Sequence, residues 1–195
     1  MTDVGALTDI GARTTKTSPV HPSTAARLAE LAADAGDITT AARAAANPNL
    51  PADLIVGYLD ADDLRRLGAA GNPACPPEEL ARVVGSHQDD DDGLLFVVVA
   101  ENPAADDAAL AAVAAARPLR WEGPVTHANA GPLTLAAVAA SPAPSARLAV
   151  AVRGDTPPEI LERLAGDTDP KVRAAVAANP AAPAAVRSHA GLLAD

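Results

Sequence analysis

Runs of alanine, valine and leucine in this chain stop, at short and nearly regular intervals, at a polar residue followed by a proline-marked restart. Taking that polar residue as an anchor gives Ser18, Asn47, Asn72, Asn102, Asn129, Arg153 and Asn179, which lie 29, 25, 30, 27, 24 and 26 residues apart. A proline follows at once at Pro19, Pro48, Pro73, Pro103 and Pro180, while Ala130 and Gly154 stand there in the other two units. A second proline sits four positions after the anchor at Pro22, Pro51, Pro76, Pro157 and Pro183; Asp106 replaces it once and Pro132 arrives one position early. A repeat of roughly 25 residues is one supersecondary unit that cannot bury its own apolar face, so neighbouring units must stack.

Inside each unit the pattern predicts two short helices. Eight residues after the anchor come Ile55, Leu80, Leu110 and Leu161, and eleven after it Tyr58, Val83, Val113 and Leu164, a spacing that puts both side chains on one helix face. The first helix is clearest in Asp169–Ala178, where Asp169 suits an N-cap and Pro170 the first turn. It must stop at Asn179, because a residue before proline is pushed out of the α region. The second helix restarts at the later proline, with Thr156 and Glu159 at capping-box spacing. Leu94–Val99 is β-branched enough for a strand, yet its phase matches the first helix of the other units, so it is expected to be a buried helix. The fold class expected is all-α: an α-solenoid of about seven two-helix repeats over 18–195, preceded by a flexible segment 1–17.

Composition sharpens this picture. Hydrophobic residues make up 49% of the 195 positions but aromatics only 2%, so the core must be alanine, valine and leucine, which suits closely approaching helices. The 18 prolines and 13 glycines fit a helical fold only at regular breaks. A net charge of −10 repels a phosphate backbone and disfavours nucleic acid as a partner. The lone Cys75 excludes an intrachain disulfide and any multi-thiolate site, and points to a reducing, cytoplasmic setting. Residues 1–17 lack the apolar stretch of a signal peptide, and no apolar run approaches the ~20 residues of a membrane helix, so no membrane partner is expected.

The phrase Asp169-Pro-Lys-Val-Arg-Ala-Ala-Val-Ala-Ala-Asn-Pro180, with Asn72-Pro-Ala-Cys-Pro-Pro-Glu-Glu-Leu80, resembles the variant leucine-rich repeat family of bacterial proteins. The resemblance runs from about Ser18 to about Gly191. It implies a superhelix in which α-helices alternate with shorter, often 3₁₀, helices, related in architecture to HEAT and armadillo arrays. Some members carry an N-terminal cysteine cluster holding an iron–sulfur centre; with Cys75 alone, this chain departs from that pattern, and no cofactor is expected.

Four features could carry chemistry. Six residues before the anchor lie Arg66, Arg147 and Arg173, with Phe96 at the same position in another unit. Stacking would align them into a stripe able to hold carboxylates or phosphates; the competing reading is that each arginine ties neighbouring units together. The run Asp89–Asp92 lacks the alternation of a calcium loop and reads as a solvated, self-repelling segment. His21, His87, His127 and His189 are scattered through different units, without metal-ligand spacing. Arg117–Pro124 interrupts the repeat and holds the only tryptophan, Trp121, which either anchors a partner or plugs a gap in a degenerate unit.

No nucleophile elbow, phosphate loop or dinucleotide fingerprint is present. The expectation is therefore a non-catalytic scaffold that binds a protein or peptide, the acidic balance favouring a basic one, through Arg66, Phe96, Trp121, Arg147 and Arg173. An enzyme or enzyme-accessory site in a concave groove, or nucleic-acid binding along the arginines, are the alternatives. A monomer, or a weak homodimer through an uncovered terminal unit, fits all three.

Overall fold

A computed structural model describes residues 22–194, apart from 35 and 89–92. The segment 1–17, the anchor Ser18, His21 and the run Asp89–Asp92 lie outside the described residues. Among the described residues all regular structure is α-helical, in thirteen short helices. The opening helix α1 is Pro22–Ala33. First helices of the units are α2 (Ile38–Ala45), α4 (Leu64–Ala70), α6 (Leu94–Glu101), α8 (Glu122–Thr126), α10 (Pro144–Val152) and α12 (Pro170–Ala178). Second helices are α3 (Ala52–Tyr58), α5 (Pro77–Ser86), α7 (Asp107–Ala116), α9 (Pro132–Val138), α11 (Pro158–Leu164) and α13 (Ala184–Ala194). The two sets do not differ systematically in length, and the second helices are α rather than 3₁₀.

The described residues form two compact units, which meet in the chain between Ala109 and Leu110. In the first, α2 packs on α4 and α4 on α6; in the second, α8 packs on α10, α10 on α12, and α12 on α13. The small residues explain the close approach: a Cβ on Gly68 of α4 would lie 2.1 Å from the Ala42 carbonyl oxygen of α2. The second helices turn inward the side chains that the spacing selects, with Ile55, Leu80, Val83, Leu110, Val113, Leu161 and Leu164 all buried. Tyr58 is the exception, half-buried while Leu59 takes the core position.

Helix α6 keeps five apolar side chains buried in eight residues (Leu95, Phe96, Val98, Val99 and Ala100), which overrides its strand-like composition. It is entered through Gly93, whose φ of 67° is costly for any residue with a Cβ.

Each anchor closes a tight turn in which the amide three residues on donates to the anchor carbonyl: Leu50 to Asn47, Cys75 to Asn72, Ala105 to Asn102 and Ala182 to Asn179. Proline immediately after the anchor is preset for the first central position of such a turn. The anchor side chains then reach backward across the repeat. Asn72 Nδ2 donates to the carbonyls of Ala45 and Asn47 at 2.7 and 2.8 Å. Asn102 does the same to Ala70 and Asn72, at 2.6 and 3.0 Å, and Asn179 to Ala151 and Arg153, both at 2.7 Å. Their Oδ1 atoms accept the backbone N–H two residues on, from Ala74, Ala104 and Ala181. A buried asparagine thus satisfies one helix-end carbonyl of the preceding unit, that of Ala45, Ala70 or Ala151, and adds a second bond to an anchor carbonyl that its own turn already engages.

Two anchors differ. Arg153 donates through a terminal guanidinium nitrogen to the Val125 carbonyl, so it replaces the asparagine by reach. Asn129, expected as an anchor, is exposed; the turn is closed two residues earlier, where Ala130 N–H donates to the His127 carbonyl and His127 Nδ1 pairs with Asn129 N. With His127 as anchor, Leu135 and Val138 fall eight and eleven residues later, and both are buried. The capping box at Thr156 is not formed: its hydroxyl donates to the Val150 carbonyl, and Pro157 occupies the N-cap of α11.

Candidate docking groove

The starts of the first helices in the N-terminal unit leave a groove of about 380 Å³ lined by Ile38, Asp62, Asp63, Leu64, Arg66, Leu67 and Leu95. Ile38 and Leu64 are the first residues of α2 and α4, each directly after an aspartate N-cap. Asp37 accepts the Thr40 N–H at 3.1 Å, and Asp63 accepts that of Arg65 at 2.9 Å. Capping fixes where each helix begins, and so where the aliphatic side chain beside it stands.

The charges at this mouth are unequal in their commitments. Arg65 grips Asp63 with Nε at 3.0 Å from both carboxylate oxygens and a terminal nitrogen at 2.6 Å, while its guanidinium lies 5.5 Å from the Tyr58 ring centre. That hydrogen bonding, opposed by partial burial, holds the Asp63 carboxyl below its usual value. Arg66 donates from Nε to the Ala61 carbonyl at 2.5 Å and makes no ion pair among the described residues. Asp62 is exposed at the same mouth. The floor is therefore aliphatic, with an arginine and two aspartates at its edge, one of them held by Arg65.

Of the residues expected to form a binding stripe, only Arg66 lines this groove. Phe96 is 1% exposed and belongs to the core, because α6 buries nearly its whole circumference. Arg147 is spent inside the protein: Nε and a terminal nitrogen hold Asp167 at 2.7 and 2.9 Å, and the other terminal nitrogen takes the carbonyls of Ser141 and Pro142. Arg173 donates to the carbonyls of Asp167, Thr168 and Leu193. At these two positions the phased arginine is a clamp on the turn before its own helix, and the alignment that suggested a stripe is a structural register. The side chain of Asp167 is 6% exposed, and the Arg147 bonds hold its carboxyl below the usual range.

Trp121 is half-buried and packs against the core cluster of the C-terminal unit, filling space beside the five-residue helix α8. The exposed apolar residue of that segment is Leu119, at 69%. Cys75 is buried, and its thiol is pushed up to about 12, first by desolvation and then by Glu79 and Glu78. Among the described residues no group of three or more His, Cys, Asp or Glu side chains is placed to hold a metal ion, and no helix is long and apolar enough to cross a membrane.

The groove residues Ile38, Leu64, Leu67 and Leu95 were not singled out by the repeat arithmetic. The available signal was the Asp-Ile and Asp-Leu pairs at 37–38 and 63–64, where an N-cap meets an aliphatic residue that no later turn of the helix covers. Set against family models, curated proteins and solved structures, the chain matches none.

Proposed function

We propose that this chain is a non-catalytic interaction scaffold, a helical-repeat array of the variant leucine-rich repeat kind, that takes a protein or peptide segment in the groove at the starts of α2, α4 and α6. The observation that carries the reading is the groove itself: an aliphatic floor open to solvent, with an arginine and two aspartates at its edge, one of them held by Arg65. Recognition pockets are built this way, an apolar body with a few polar groups that fix orientation. A repeat scaffold supports it, because a surface fixed by neighbour-to-neighbour packing loses little entropy when a flexible segment binds.

Panning a displayed random-peptide library on the chain tests this. Enriched peptides should bind the wild-type chain and lose about tenfold or more in affinity to Leu67→Asp, the loss expected for charging an apolar contact. Circular dichroism checks that the variant keeps its helices. Enrichment of no sequence, or equal binding to the variant, contradicts the reading.

A further inference from the structure

The chain contains an internal template for what the groove cation holds. Arg66, Arg147 and Arg173 share one register, six residues before an anchor. In Arg147 and Arg173 a single terminal nitrogen takes the two turn carbonyls five and six residues back, which frees the rest of the guanidinium. Arg147 uses the freed edge to grip the carboxylate of Asp167 with two bonds, and Arg173 uses its Nε on the Leu193 carbonyl. In Arg66 the geometry is turned: Nε itself takes the turn carbonyl of Ala61, and the two terminal nitrogens have no bond among the described residues. Arg66 as a whole is half-buried and lines the groove with Ile38, Leu67 and Leu95.

We propose that Arg66 holds a carboxylate of the docked peptide with two bonds, as Arg147 holds Asp167, but end-on through its two terminal nitrogens because Nε is committed to the Ala61 carbonyl, so that the preferred segment carries one acidic residue next to the aliphatic side chain filling the groove. This rests on the docking reading above and adds the chemistry of the partner. A planar guanidinium presents parallel N–H groups that match two carboxylate oxygens, and partial removal from water strengthens the match. Among the described residues no neighbouring carboxylate meets that need: Asp63 is taken by Arg65, and Asp62 makes no hydrogen bond. The Asp62 carboxylate and the net charge of −10 oppose a second acid, so the match is to a single acidic residue with a basic one on its other side. In sequence Asp90 lies twelve residues before Asn102 as Asp167 lies twelve before Asn179; it is outside the described residues.

The test uses two capped peptides, one with a central Glu-Leu-Lys and one with Gln-Leu-Lys, titrated into the isotopically labelled full chain and followed by backbone amide shifts. The glutamate peptide should move the amides of Ile38, Asp62, Leu67 and Leu95 and bind about tenfold tighter than the glutamine peptide, the loss expected for one charge-assisted pair. Arg66→Gln should erase that difference, and Arg66→Lys should keep only part of it, since an ammonium cannot form the fork. Equal binding of the two peptides at the groove, or a preference that survives Arg66→Gln, overturns the proposal while leaving the docking reading intact. A glutamate preference seen only after Asp89–Asp92 are all changed to serine overturns it too, because the chain's own carboxylates then hold Arg66. Absence of any shift with either peptide removes both readings.

Discussion

At the scale of single residues, the same side chain both marks the repeat and wires it. Asn72 donates both protons of its amide and accepts one, all to backbone, and is fully buried. Alanine there would leave the helix-end carbonyl of Ala45 without its donor and the Asn47 carbonyl with the Leu50 N–H alone. Asn72→Ala should therefore lower stability by about 2–3 kcal/mol in urea unfolding, several times the cost of an ordinary surface change. A second residue-scale expectation concerns acid. The pKa of Asp167 is depressed in the folded state, so its pairing with Arg147 contributes fully above the unfolded value of about 3.9 and is lost as pH falls through the lower folded value. Asp167→Asn should cost about 2 kcal/mol at pH 7 and flatten the fall in stability below about pH 4, read from urea midpoints across that range. Anchors were legible because proline beside a polar residue is a strong local signal. What their side chains do was not, since Asn102 and Asn179 bond to carbonyls 32 and 28 residues upstream.

At the scale of elements, short helices hold together by approaching closely, and glycine and alanine set how closely. Gly68 faces the backbone of α2, whereas Gly57 in α3 has nothing within 4 Å of an added Cβ. The two alanine substitutions should act in opposite directions. Gly68→Ala should destabilise by about 1–3 kcal/mol through overpacking. Gly57→Ala should stabilise by up to about 1 kcal/mol through helix propensity and a stiffer unfolded chain. Thermal unfolding of both variants checks the pair, and a matching sign would contradict the packing described. Helix α6 shows which sequence signal wins at this scale: six apolar residues from Leu94 to Val99 favour a strand locally, but the repeat phase and burial on α4 and α5 make them a helix. The degenerate unit shows the converse. The dipeptide Asn129-Ala130 attracted the register, while Leu135 and Val138 already carried the phase that identifies His127 as the anchor.

At the scale of the molecule, the two compact units are both built from neighbour-on-neighbour helix packing, which is why the all-α class could be read from spacing alone. The groove could not be read in this way, because it arises from what three helix starts leave uncovered and no periodicity encodes a gap. The arginine register illustrates the same limit, as its phase was visible but not whether each guanidinium pointed to a partner or to its own turn. The most direct measurement of the central claim, that the anchors Asn72, Asn102 and Asn179 tie their units to the ones before, is hydrogen exchange of side-chain amides followed by NMR. The Nδ2 protons of Asn72, Asn102 and Asn179 should persist in deuterated buffer long after those of Asn49, an exposed asparagine in the same kind of turn. Exchange of all four at one rate would contradict the account.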